Sequence, residues 1–254
     1  MAFSSYYDFL SCWGFEIKLS LENHSIYPSI IICYILFSIL VGPYLMQNRK
    51  AFSLRKILIA YNFFEVFINT YISYWTAYEM LKHKSFICVP RDDPHLLQAI
   101  EQNMPLWLLV FFNKTLELLD TVFFVLRKKK NQITFLHVVH HSGVCLLTWS
   151  CLRNKAALGG FYVPFGIAIN CASHTVMYLY YGLSAIGPST AKYLWWKKYI
   201  TILQIVQLAL ILMFILISVL TGCQQLGKME ISFLTFITLM FILFLKFFKK
   251  YKQS

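Results

Sequence analysis

Three histidines, His137, His140 and His141, stand at i, i+3 and i+4 inside an apolar run. On a helix that spacing puts all three imidazoles on one face. Near neutral pH an imidazole can bind a metal, accept a proton or attack a carbonyl carbon. The preceding apolar run carries Lys114, Glu117 and Asp120 at i, i+3 and i+6. Two acids beside one base nearly neutralise each other, which lowers the cost of burying all three. A later run places Asn170 and His174 one turn apart, followed by Met177, Tyr178, Tyr180 and Tyr181, and the next holds Thr201, Gln204 and Gln207 at the same i, i+3, i+6 spacing. Each set has a plainer reading: an ion network that locks helices, a hydrogen-bonded core cluster, an interfacial aromatic belt or interhelical glue. Four successive runs aiming polar groups inward exceed what packing requires, and together they read as a site.

Histidine clusters in membrane enzymes of lipid metabolism admit two chemistries. A di-iron centre needs several nitrogen ligands per iron. This chain has seven histidines, and His24, His83 and His95 fall in segments away from the cluster, leaving four. Lys114 beside them disfavours a cation, so the expectation is no metal. The alternative is metal-free acyl transfer, in which a neutral imidazole attacks a thioester and the acyl-imidazole stays reactive.

The elements that must position these residues are membrane helices. The 254 residues are 58% hydrophobic and only 13% charged, with mean hydropathy +0.59, far from the balance of a soluble domain. Seven apolar runs, at about 27–46, 57–81, 104–126, 133–151, 158–182, 199–220 and 230–248, each approach the length a bilayer requires. Pro43 is expected to end or kink the first, and Pro164 lies near the start of the fifth. No repeat or low-complexity linker divides residues 1–254, which read as one polytopic domain.

The net charge of +12 suggests topology rather than nucleic acid, because the basic residues cluster between runs. Arg49, Lys50, Arg55 and Lys56, Arg127 to Lys130, Lys192, Lys197 and Lys198, and Lys249, Lys250 and Lys252 occupy one side, at twice the number on the other. That bias puts a tail at 249–254 in the cytosol and an N-terminal segment 1–26 outside. The N-terminus lacks a basic start and carries Asp8, Glu16 and Glu22, unlike a cleavable signal peptide. Asn23-His24-Ser25 is a glycosylation sequon on the outer side; a second, at Asn113, lies within a run and is unusable. Cys33, Cys145, Cys151 and Cys171 read as small buried residues. Cys12 and Cys88 fall outside the cytosol, with their pairing open.

The motifs are similar to those of the ELO family of very-long-chain fatty-acid elongases. Lys114 to Thr121 matches a KxxExxDT box, His137 to His141 an HxxHH box, Asn170 to Tyr181 an NxxxHxxMYxYY box, and Thr201, Gln204 and Gln207 a TxxQxxQ box, all in family order. Gly42-Pro43, Met46, Arg49, Phe52, Leu54 and Arg55 extend the resemblance toward the N-terminus. Val139, Cys171, Ser173 and Ala51 depart from the family pattern at apolar or small positions.

The resemblance implies an all-α integral membrane protein with seven transmembrane helices, six ringed around a narrow acyl tunnel and one packed outside. It implies a 3-oxoacyl-CoA synthase of the endoplasmic reticulum membrane, condensing acyl-CoA with malonyl-CoA. His140 would be the nucleophile, assisted by His174, with His137 and His141 orienting it and Asn170 donating to the oxyanion. Lys114, Glu117, Asp120, Gln204 and Gln207 would form the supporting polar network. Arg127, Lys128, Lys197 and Lys198 are candidates to bind the CoA phosphates. Lys250 and Lys252 resemble a dilysine retrieval signal. Gln132 resembles members acting on polyunsaturated or very long chains. No cofactor is implied beyond the two substrates. Partners are membrane lipid, the other enzymes of the elongation cycle by pathway logic, and a second copy of the chain, but no nucleic acid.

Overall fold

A computed structural model describes residues 23–82, 88–89, 93–159, 162–223 and 227–253. Among these the chain is helical throughout, without strands. We number the helices α1 (Ile26–Met46), α2 (Arg55–Lys82), α3 (Pro94–Gln102), α4 (Met104–Leu116), α5 (Leu119–Leu126), α6 (Phe135–Arg153), α7 (Lys155–Leu158), α8 (Tyr162–Ile186), α9 (Lys197–Leu220) and α10 (Lys228–Gln253). Among the described residues, helix occupies most of every predicted apolar run; the fourth starts at Phe135, and the fifth is described as two helices, Lys155–Leu158 and Tyr162–Ile186. Four helical stretches, Ile26–Met46, Phe135–Arg153, Lys197–Leu220 and Lys228–Lys250, are long and apolar enough to cross a membrane. The other runs carry more polar side chains: Asn62, Glu65 and Asn69 in α2, Lys114 and Glu117 in and after α4, Asn170 and His174 in α8.

Several boundaries differ from the sequence reading, each for a local reason. Pro43 does not end α1. A π-helical turn at Phe37–Val41 widens the helix just before it, which makes room for the pyrrolidine ring where it would otherwise meet the preceding turn. The third run is not one helix, since α4 stops at Leu116 and α5 begins at Leu119, joined by tight turns in which Leu118 N–H donates to the Thr115 carbonyl. Residues 249–253 prolong α10 rather than forming a separate tail. Cys145, Cys151 and Cys171 are buried as expected, but Cys33 is exposed on the outer face of α1. Cys88 pairs with Cys223, tying the α2–α3 connection to the α9–α10 connection; Cys12 lies outside the described residues.

α2 and α8 form the most extensive helix pair. On α2 the buried positions Leu58, Asn62, Glu65, Asn69, Ile72 and Thr76, with Ile68 beside them, recur by alternating steps of four and three, the spacing of a coiled-coil seam. Phe63, Phe64, Phe67, Tyr71 and Tyr74 face outward. The polar side chains are therefore inside and the aromatic ones outside, the arrangement expected where the solvent is lipid. Ser73 Oγ donates to the Ala168 carbonyl at 2.8 Å, and the Thr70 and Thr175 hydroxyls pair at 3.2 Å. Numbers rise along α2 as they fall along α8, so the pair is antiparallel.

Hydrogen bonds orient the other helices in the same way. Tyr27 pairs with Thr115 at 2.7 Å and Tyr34 with Thr121 at 2.6 Å, so α1 runs parallel to α4 and α5. Cys145 Sγ donates to the Lys114 carbonyl at 3.1 Å, and Thr121 meets His137 at 2.8 Å, so α6 runs antiparallel to them. α10 lies against α6 where Phe236 covers Gly143; a Cβ there would fall 2.2 Å from the ring. At its start Tyr162 donates to the buried Glu230 carboxylate at 2.6 Å.

Candidate functional site

The four motifs meet between α4, α5, α6, α8 and α9. Thr134 caps α6, its hydroxyl accepting from the His137 N–H at 3.1 Å. This places His137 in the first turn and His140 and His141 in the second. The His137 and His141 ring centroids are 4.4 Å apart, those of His140 and His141 5.3 Å, and those of His140 and His174 6.1 Å. The predicted shared face exists, and His174 joins it from α8. The His137 Nε2 contact to Thr121 continues through Tyr34, so a chain of hydroxyls fixes that ring.

The carboxylates take separate partners. A single oxygen, Glu117 Oε1, accepts from Lys114 Nζ at 2.8 Å, His174 Nδ1 at 3.0 Å and Asn113 Nδ2 at 3.2 Å. All four residues are buried. Lys114 Nζ lies 3.5 Å from the same His174 nitrogen. Asp120, beyond the break between α4 and α5, accepts instead from the Tyr178 hydroxyl at 2.7 Å. The break turns what the sequence presents as one triad into an ion pair with His174 and a separate tyrosine contact.

Two cavities flank the histidines. The larger is lined by His137, His140, His141, Asn170, His174, Thr201, Gln204 and Lys197, together with the aromatic rings Tyr180, Tyr181, Phe244 and Phe247. The second is narrow and mostly apolar, running among α4, α6, α8, α9 and α10 past Val144, Leu147, Cys151, Ile211 and Ile237. His140, Asn170, Gln207 and Leu208 belong to the walls of both. His140 thus stands where a polar chamber meets an apolar channel. Its Nδ1 is buried and no hydrogen bond holds it; the Gln207 Oε1 is in the same condition. Buried polar atoms without partners are rare in folded proteins, and two at one junction suit a group supplied by a ligand. Gln204 is occupied otherwise, its Nε2 donating to Met177 Sδ at 3.4 Å.

The predicted anion-binding residues separate. Lys197 lines the large cavity. Lys128 does not: it adopts φ 56° in the turn after α5, and its ammonium donates to the Gln47 carbonyl at 3.0 Å. Arg127 is also outside the lining, and Lys198 lies over the Tyr199 ring at 4.9 Å. Gln132 lines the large cavity. Asn23 is exposed, its Oδ1 accepting from the Ser25 backbone and hydroxyl, and Asn113 is fully buried. Lys250 is exposed at the end of α10, and the Lys252 side chain lies outside the described residues.

Sequence reasoning missed the polar stripe of α2. Asn62, Glu65 and Asn69 are buried, with Asn69 Nδ2 donating to Glu65 at 3.0 Å. The seam spacing of these polar residues, against an aromatic opposite face, was the available signal. Asn113 and Thr121, which bind Glu117 and His137, figure in the sequence only as an unusable sequon and as the last residue of the KxxExxDT match, with no partner assigned to either.

Comparison with known proteins adds a separate line of evidence. The ELO: GNS1/SUR4 family profile matches residues 19–254. The chain is 42% identical over 184 residues to human very long chain fatty acid elongase 1, covering 72% of this chain and 64% of that protein. It is 43% identical over 185 residues to rat very long chain fatty acid elongase 7, covering 70% and 62%, and 40% identical over 202 residues to human very long chain fatty acid elongase 4, covering 77% and 61%. The matches therefore span less than two thirds of each relative's length.

Proposed function

We propose, from the premise that this chain belongs to the ELO (GNS1/SUR4) family of fatty acid elongases, that it is the condensing enzyme of a microsomal elongation cycle. Family membership makes it a multi-pass membrane protein of lipid biosynthesis; the reaction, the residues and the compartment are our reading. The observation that carries it is the position of His140 at the junction of a polar chamber and an apolar channel. An acyl-CoA bound across that junction keeps its tail in the channel and its thioester beside the imidazole.

In this reading His140 attacks the thioester carbonyl, a C–N bond forms, and the C–S bond breaks to release CoA as its thiol. The proton lost from the imidazolium is passed to the thiolate. Asn170, in the wall beside it, donates to the oxyanion. Malonyl-CoA then loses carbon dioxide, and the resulting enolate attacks the acyl-imidazole. The new C–C bond replaces the C–N bond, and the departing imidazolate takes up a proton from solvent in the chamber, giving a 3-oxoacyl-CoA two carbons longer and neutral His140. The carboxylate of Glu117 holds His174 with its Nδ1–H directed away from the cavity, leaving its other nitrogen to serve the thioester or enolate. His137 and His141 pack around His140 and keep it oriented. Lys197 at the chamber wall is suited to a CoA phosphate, and no metal or cofactor enters the scheme.

The proposed architecture is seven spans, six around the channel and one packed outside, in the endoplasmic reticulum with the C-terminus cytosolic. Alternating helix directions support the alternation of spans. A disulfide between two connections on the same predicted side supports placing them in an oxidising lumen. Lys250 and Lys252 would then be read by the retrieval machinery.

The test is elongation in elongase-depleted yeast microsomes with a panel of acyl-CoAs and labelled malonyl-CoA. Wild type should give labelled products two carbons longer, and His140→Ala, with its folding checked, should give none. A folded wild type that lengthens no acyl-CoA would favour a transporter or scaffold instead.

A further inference from the structure

Another cavity lies between α2, α3, α4 and the start of α8, apart from the two that flank the histidines. Met80, Leu96, Ala99, Ile100 and Leu106 give it a mostly apolar wall, which four polar side chains join: Thr76, Glu79, Asn103 and Trp107. Trp107 and Leu158 also line the narrow channel and partition the two spaces. An apolar pocket with a few convergent polar groups is the usual form of a small-ligand site.

Two of these polar groups have nothing to bond within the protein. The Thr76 hydroxyl and the Trp107 Nε1 are buried without a hydrogen-bond partner, in residues only 1% and 7% exposed. Ser38, Thr115, Ser142 and Thr148 turn their hydroxyls back to the carbonyl four residues earlier on their own helices; Thr76 does not. The other two are engaged with each other: Asn103 Nδ2 donates to Glu79 Oε2 at 3.0 Å, and Lys82 Nζ lies 3.6 Å from the same oxygen. Thr76 and Glu79 stand one turn apart on α2, and Thr76 is six residues from its end at Lys82, about 9 Å of helix rise. In a bilayer that is close to where head groups meet hydrocarbon.

These groups select the chemistry of a ligand. An indole N–H only donates, a carboxylate only accepts, and a threonine hydroxyl does either. A ketone or ester carbonyl takes the indole proton but offers none to Glu79. An ammonium group cannot accept from the indole, and a carboxylate or phosphate would be set against Glu79. An alcohol accepts and donates through one oxygen and carries no charge. We propose that this cavity binds an uncharged lipid with a single hydroxyl as its head, the hydroxyl set among Thr76, Trp107 and Glu79 and the apolar body against Leu96, Ile100 and Leu106. The site is separate from the chamber and the channel, and it does not depend on the condensing reading. A sterol and a diacylglycerol share this chemistry, and the test separates them.

Full-length protein is reconstituted in phosphatidylcholine vesicles containing a diazirine sterol or a diazirine diacylglycerol, photolysed, and its labelled peptides are mapped by mass spectrometry. At least one probe should label residues 76–80 or 96–107, and excess of the same lipid without the diazirine should compete. The methyl ether of that lipid, which keeps the acceptor and loses the donor, should compete about 2–10-fold less well, the worth of one neutral hydrogen bond. Thr76→Val, close to isosteric but without the hydroxyl, should weaken the competed labelling by about the same 2–10-fold, and Ala99→Leu, which fills the cavity, should remove it. Labelling by one probe alone supports the site and identifies its occupant within the class. No competed labelling at these residues with either probe would mean that water alone meets the hydroxyl and the indole, and it would overturn the proposal. Labelling indifferent both to Thr76→Val and to methylation of the lipid hydroxyl would do the same. The readout is an adduct and not a product, so a wild type that elongates nothing leaves this test intact.

Discussion

Glu117→Ala tests the electrostatic centre of the fold. In the structure one carboxylate oxygen gathers Lys114, His174 and Asn113 at 2.8, 3.0 and 3.2 Å. Lys114 is 3% exposed and its carboxylate partner 2%. Removing the carboxylate strands an ammonium group where water does not reach. Breaking a buried pair from one side costs about 3–5 kcal/mol. At roughly 2–4 °C per kcal/mol for a chain of this size, the apparent melting temperature should fall by roughly 6–20 °C. The assay is thermal loss of the monodisperse peak in detergent, followed by size-exclusion chromatography. Lys114→Met alone should also destabilise. The double variant, which removes both charges, should melt above Glu117→Ala, because the stranded charge is gone. A Glu117→Ala protein within about 2 °C of wild type, less than about 1 kcal/mol, would refute the reasoning. So would a double variant whose loss is the sum of the two single losses.

Gly143→Ala places a Cβ 2.2 Å from the Phe236 ring, so it should push α10 off α6 and lower the melting temperature; Gly143→Ala with Phe236→Leu should recover part of the loss. Tyr178→Phe removes the 2.7 Å donor to Asp120 and should destabilise by about 1–3 kcal/mol in the same melting assay. Cys88→Ser opens a bridge spanning 135 residues and should cost up to about 4–5 kcal/mol on the chain-entropy estimate; wild-type protein treated with reductant should melt with the variant, and a wild type insensitive to reductant would contradict the bridge.

The histidines and the acids of α4 and α5 were legible because ionisable side chains are costly at membrane depth, so each stands out from its run. His137, His140 and His141 keep on the folded helix the face their spacing implies. Pairings between helices were not legible. Nothing in the spacing of Glu117 and Asp120 says that one takes His174 and the other Tyr178, because both partners come from α8, far along the chain, across a helix break that the spacing does not announce. Lys128 looks like any other loop cation until its backbone turns left-handed and sends it toward Gln47. Cys223 lies far from Cys88 in sequence, and only the folded ends of α2 and α9 bring them together. Asn62, Glu65 and Asn69 could have been found, since a polar seam with aromatic flanks follows from period alone.

Away from His140, the wall of the narrow channel is mostly apolar, much like the hydrocarbon around the helices. A methylene leaving water gains about 0.8 kcal/mol, but one moving from the bilayer into this channel exchanges one hydrocarbon-like setting for another. Partition therefore supplies almost no preference among chain lengths in a membrane. Two fatty chains differing by a few carbons would compete on nearly equal terms until the longer one meets a wall. If the channel is the acyl site proposed above, selectivity there is geometric: tolerance over a range, then a cut-off, in place of an affinity that climbs with every carbon.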